Sequence, residues 1–116
     1  MDDFDNMEFL QYTLQLFLSY QILDDGTIFE QKGLVDEIGT VKIKIQSNDH
    51  NPPHFHIESS DCNASFLISD CTILAGNCDK KLIKKIEYWY DQKGRYFLIE
   101  EWNRVNQFKP HMMINE

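Results

Sequence analysis

No apolar run in this 116-residue chain approaches the roughly 20 residues that a membrane-spanning helix requires. The amino terminus, MDDFDNMEF, leads with acidic rather than basic residues and has no cleavable apolar core, so no secretory signal is expected. Cysteine is scarce and odd in number: the three residues Cys62, Cys71 and Cys78 have no C-x-x-C spacing, which points to a reducing, cytoplasmic protein. Each of them reads as a small buried hydrophobe rather than a metal or redox residue. Proline and glycine are sparse as well, with no Pro/Gly/Ser linker, repeat or low-complexity tract, as one compact unit requires. Basic residues are outnumbered 11 to 19, and the net charge of −8 repels phosphate backbones, which disfavours nonspecific nucleic-acid binding. The one dense basic group, Lys80, Lys81, Lys84 and Lys85, falls along one side of an expected helix and reads as a solvated face. Phosphate-cradling glycine motifs and a nucleophile elbow are both missing. Glu100 and Glu101 are adjacent on an expected helix, so they diverge and read as a solvated face rather than an acid/base dyad.

What is present is ample core material. At 42% hydrophobic and 13% aromatic, the chain can fold without disulfides or a structural metal. Residues 6 to 19 carry two competing periods. Helical spacing links Leu10, Leu14 and Phe17 imperfectly, whereas period two links Tyr12, Leu14, Leu16, Leu18 and Tyr20 cleanly. Capping residues at Asp5 or Asn6 and Glu8 in a first turn favour a helix over roughly 6 to 19, running into a short strand. Asp24-Asp25-Gly26 marks a hairpin turn and Lys32-Gly33 a second turn. Val41, Ile43 and Ile45 alternate with Lys42, Lys44 and Gln46 as a half-buried strand. After a turn over 47 to 53, HFHIE resumes as a strand with Phe55 and Ile57 on one face and His54, His56 and Glu58 on the other. Further strands are expected at Ala64–Ile68 and Thr72–Leu74, with Gly76-Asn77 ending the sheet. Asn77 or Asp79 caps a helix carrying Leu82, Ile83, Ile86, Trp89 and Tyr90, which Lys93-Gly94 interrupts. A last helix carries Leu98, Trp102 and Val105, both tryptophans read as core, and the stretch beyond Val105 reads as a frayed tail.

The histidines carry the chemistry. His50, His54 and His56 fall within seven residues of one another around Pro52-Pro53, and the last two share a strand face at a spacing that lets both imidazoles reach one ion. Three neutral imidazoles suit zinc or another transition metal rather than magnesium or calcium. In that reading Asp49 or Glu58 is a further ligand, a tautomer-fixing acceptor or the catalytic base, and His111 arrives from the tail. A bound water would supply hydroxide near neutral pH. A second reading has His50, Asn51, His54 and His56 binding an anionic or polar ligand, with Lys42 or Lys44 from the neighbouring strand. In a third the histidines are hydrogen-bonding supports of the sheet and its rigid turn.

DHNPPHFHIES, the NASFLIS strand, the LAG turn and the helix pair ending in IEEWN together resemble a bacterial family known only as domain of unknown function 4160, over roughly residues 34–106. The hallmark Asn-Pro-Pro-His-Phe-His is present without a gap as Asn51, Pro52, Pro53, His54, Phe55 and His56, and Trp102 matches the tryptophan of the last helix. The resemblance implies a genetic setting rather than a mechanism: genes of this kind lie beside another small family, as in two-gene, toxin and antitoxin-like systems or mobile elements of bacteria or phage. It also marks the histidine segment as the functional centre.

The expected architecture is α+β, an antiparallel sheet of about four or five strands with two C-terminal helices on one face and an N-terminal helix beside it. Residues 1–33 form an N-terminal extension packed on a core domain over 34–106, and 107–116 form a tail. The expected function is a binding module for a protein partner or small polar ligand, with a homodimer through an exposed strand edge as a further expectation. The alternative is a metal-dependent hydrolase of nuclease type.

Overall fold

The computed structural model describes residues 6–18, 20–22, 28–30, 40–45 and 51–115. Helix α1 (Asn6–Phe17) leads to strands β1 (Tyr20–Ile22), β2 (Ile28–Glu30), β3 (Lys42–Lys44), β4 (His54–Ser59), β5 (Cys62–Leu67) and β6 (Ile73–Cys78). Helix α2 (Lys80–Trp89), a π-helical turn (Tyr90–Gly94), α3 (Arg95–Val105) and a 3-10 turn (Pro110–Met112) follow. The fold is α+β, with a four-stranded antiparallel sheet in the order β3-β4-β5-β6 and a separate β1-β2 hairpin. The expected turns at Asp24-Asp25-Gly26 and Lys32-Gly33 lie outside the described residues.

Burial decides between the two periods of the first segment. Leu10, Leu14 and Leu18 line one helical stripe and are fully buried, whereas Tyr12 and Leu16, which a strand would place beside Leu14, are exposed. Helix α1 also closes one edge of the sheet. The Gln11 side-chain amide donates to the Val41 carbonyl at 2.5 Å and its oxygen accepts from the Ile43 amide at 3.0 Å, while Gln15 accepts from the Val41 amide at 3.2 Å. Backbone groups that an edge strand would leave open are thereby satisfied by side chains.

The sheet buries Ile43, Phe55, Ile57, Ala64 and Phe66 on one face, as period two requires. Phe55 stacks on Phe66 with ring centroids 5.4 Å apart and meets Trp89 of α2 at 6.2 Å, which locks the helical layer onto this face. Gly76 and Asn77 do not end the sheet, as their composition suggested; both lie inside β6. Gly76 sits at φ +90, and a side chain there would strike the Asn63 backbone of β5. The glycine lets β6 approach β5 this closely, and the strand continues beyond it through a register shift between Ser65 and Phe66 that leaves Leu74 as the extra residue. Cys62 and Cys78 are register partners across β5 and β6 and are joined by a disulfide, which corrects the expectation of three separate thiols. Cys71 is free and buried.

Asp79 caps α2, its carboxylate accepting from the Lys81 and Leu82 amides. Leu82, Ile86 and Trp89 are buried as the helical pattern predicts, but Lys85 is buried too, and its ammonium donates to the Leu18 carbonyl at 3.5 Å. The lysine group is therefore a solvated face only in part. Lys93-Gly94 does not interrupt the helix; the π turn carries it from α2 into α3. A Cβ on Gly94 would lie 2.9–3.0 Å from the Trp89 ring, so the glycine makes room for tryptophan rather than breaking the helix. Glu101, expected on a solvated face, is buried and held by Arg104 through two hydrogen bonds of 3.0 and 2.6 Å.

The stretch beyond Val105 is docked rather than frayed. The Trp102 indole donates to the Met112 carbonyl at 2.7 Å, Asn103 bonds both backbone groups of Ile114 at 2.9 and 2.7 Å, and Met112 is buried. One hydrophobic core takes residues from α1, the sheet, α2, α3 and this tail.

Candidate functional site

Strand alternation sets His54 and His56 on the side of β4 opposite Phe55 and Ile57, and their rings meet edge to face with centroids 5.0 Å apart. His54 is only 8% exposed and lies 5.8 Å from the Trp102 ring. Its Nδ1 donates to the Pro52 carbonyl at 2.7 Å, which in the neutral ring makes Nε2 the nitrogen with the lone pair. The Pro53 carbonyl accepts from the Ile68 amide at 3.1 Å. Both proline carbonyls are thus tied down, one to the histidine that follows and one to the β5-β6 turn.

His56 stands opposite Lys44 on β3 and Ser65 on β5, and its Nδ1 shares a hydrogen bond with the Ser65 hydroxyl at 2.9 Å. Its Nε2 is shut off from solvent. Lys44 reaches diagonally to Glu58 at 3.1 Å, an exposed pair in which each charge answers the other. The structure therefore assembles His54, His56, Glu58 and Lys44 on one sheet face, beside Lys42, which stands opposite Glu58. Asn51 is exposed at the start of the Pro-Pro turn. Asp49 and His50 lie outside the described residues. His111 is exposed in the 3-10 turn, and among the described residues no group of three or more histidine, cysteine or carboxylate side chains is placed to hold a metal ion.

Beside the histidines, the two prolines wall a cleft of about 260 Å³, completed by Leu67, Ile68 and Ser69 of the β5-β6 turn, Arg95 and Ile99 of α3, and Ile114 of the docked tail. Its lining residues are apolar apart from Ser69 and Arg95. Arg95, Ser69 and Ile114 were not legible as site residues, because three segments distant in sequence meet only through the hydrogen bonds of Pro53 and Asn103. Behind the cleft, the Tyr90 hydroxyl donates to the Ile68 carbonyl and braces the turn. Burial, and then the charges of Glu87, Asp91 and Asp70, push the Cys71 thiol up to about 12, so it stays neutral and is no nucleophile near neutral pH.

Fold and site together define a small α+β domain in which one strand face of paired histidines buttresses a proline-walled cleft. The chain belongs to the family described as domain of unknown function DUF4160, whose model matches residues 41–103. No curated protein and no solved structure matches the chain.

Proposed function

We propose that this protein is a recognition module of a bacterial two-gene, toxin and antitoxin-like or mobile-element system. It binds its partner protein or a small polar ligand at the cleft beside the Pro-Pro turn. One observation carries this reading: both histidines of the family signature are engaged within the fold, His54 holding the Pro-Pro turn through the Pro52 carbonyl and His56 tying β4 to β5 through Ser65. The cleft beside that turn is lined by apolar residues together with Ser69 and Arg95, a composition that suits an aliphatic group bearing a carboxylate or another anion.

The experiment is co-expression with the product of the adjacent gene and capture of the complex. Ser69→Trp, which fills the cleft from an exposed position, and Arg95→Glu, which reverses its charge, should each abolish capture while leaving the circular dichroism unchanged. Undiminished capture by both folded variants would contradict the assignment.

A second reading, a metal-dependent hydrolase, has its own support. A ring that donates Nδ1–H to a backbone carbonyl is oriented as ligating imidazoles commonly are, which would suit zinc or another transition metal on His54 with His50 and His56, and Asp49 or Glu58 as base. The Ser65 bond to His56 and the Lys44 pairing of Glu58 favour the first reading.

A further inference from the structure

The tail is held to α3 by its backbone. Trp102 donates its indole N–H to the Met112 carbonyl at 2.7 Å, and the Asn103 side chain both donates to the Ile114 carbonyl at 2.9 Å and accepts from the Ile114 amide at 2.7 Å. A side-chain amide that serves both main-chain groups of one residue treats it as a neighbouring strand would, whatever its side chain. Met113 between the two held residues is extended, at φ −74 and ψ 149. Met112 is therefore buried and Ile114 half-buried two positions apart, while Lys109, Pro110, His111, Met113 and Asn115 are exposed. The family match ends at Asn103, so Trp102, Asn103 and the Pro-Pro turn belong to the matched domain and the segment they hold lies outside it. Trp102 also lies 5.8 Å from the His54 ring, and Ile114 lines the cleft, so the docked tail adjoins the signature turn.

We infer that this surface of α3 is a groove for an extended peptide segment of a partner protein with apolar residues two positions apart, and that the tail fills it in the free protein until the partner's segment displaces it. Main-chain bonds from Trp102 and Asn103 supply affinity, and the two inward positions supply selectivity. An asparagine set for both backbone groups of one residue has no use for a small carboxylate, which is why a peptide fits better here. Release of the tail need not reach α3, because Asn106 caps that helix by donating its backbone and side-chain N–H groups to the Trp102 carbonyl at 3.1 and 2.9 Å. The inference rests on the recognition reading for its purpose and names the class of ligand.

Exchange is measured in the full chain carrying Met112→Asp/Ile114→Asp, which puts two charges into the groove and releases the tail. It is titrated into a fluorescein-labelled peptide of sequence KPHMMINE, residues 109–116, and followed by fluorescence anisotropy. Saturable binding is expected, about tenfold or more tighter than to the wild-type chain, whose tethered tail competes. A peptide with the same two aspartates should not bind, and Asn103→Leu added to the released chain should weaken binding about tenfold or more. A released chain that is folded by circular dichroism and ignores the peptide overturns the proposal, and so does binding indifferent to Asn103→Leu. A wild-type dimer that becomes a monomer in the released chain would make a second copy's tail the occupant and overturn it likewise. Should the released chain not fold, amide hydrogen exchange of the wild type decides: the Ile114 amide should exchange by local opening, about tenfold or more faster than that of Leu98 within α3. Equal rates would mean that the tail leaves only on global unfolding, which overturns the proposal. Neither readout uses the product of the adjacent gene, so failure of capture and failure of exchange are told apart.

Discussion

His54 shows how a residue that looks like a ligand from its spacing becomes a support once its neighbours are known. Its Nδ1 bond to Pro52 and its contact with Trp102 join the signature turn to α3, and neither partner could be inferred from the H-x-H pattern alone. His54→Ala should remove the donor to the Pro52 carbonyl together with a buried ring beside Trp102 and cost about 1–3 kcal/mol, read as a lower urea midpoint at unchanged slope. His54→Asn should recover part of the loss if the amide reaches Pro52. Cys71 and Tyr90 set the alkaline limit. Burial raises both groups, the thiol from 9.0 to about 12. The unfolded chain therefore releases protons first as pH rises, so stability is full below about pH 9 and declines progressively above it as the folded pKa is approached. Thermal melts at neutral and alkaline pH measure the decline, and a melt that holds steady through that window would count against the burial of these groups. The face shared by His54, His56 and Glu58 was readable from period two, whereas Arg95 and Ile114 were not, since no local pattern reports what a tail docks against.

Gly94 and Gly76 read as breakers in the sequence, yet each keeps an element going. Their role depends on a neighbour remote from the local pattern: the Trp89 ring against Gly94, the Asn63 backbone against Gly76. Gly94→Ala should destabilise by about 1–3 kcal/mol through overpacking, although alanine is the better helix former, and chemical denaturation will show which effect wins. A gain in stability would mean that Trp89 can yield. The β5-β6 hairpin is held by the Cys62–Cys78 bridge, which closes a sequence separation of 16 residues. Under denaturing, non-reducing conditions thiol titration should find one free thiol per chain and three after reduction. Cys62→Ser/Cys78→Ser should lose about 3 kcal/mol. The alternation of β3 to β5 and the 3.6-residue period of α2 made these elements legible beforehand. The pairing of the cysteines was not, because register across β6 depends on an irregularity at Ser65/Phe66 that composition does not reveal.

Viewed entire, the protein spends its distinctive residues on shape. Pro52 and Pro53 meet Ile114 of the docked tail at one cleft, His54 anchoring the turn and Trp102 the tail, while α1 closes one sheet edge. Among the described residues no helix is long and apolar enough to cross a membrane. The division between recognition and metal chemistry rests on what His54 and His56 do. The most direct measurement is the metal content, by mass spectrometry, of untagged protein grown with added zinc, beside a His54→Ala/His56→Ala variant shown to be folded. Recognition through the cleft predicts metal far below one ion per chain in both proteins and a melting temperature unmoved by chelator. A stoichiometric transition metal in the wild type that disappears in the variant would contradict it and make the paired imidazoles a metal centre.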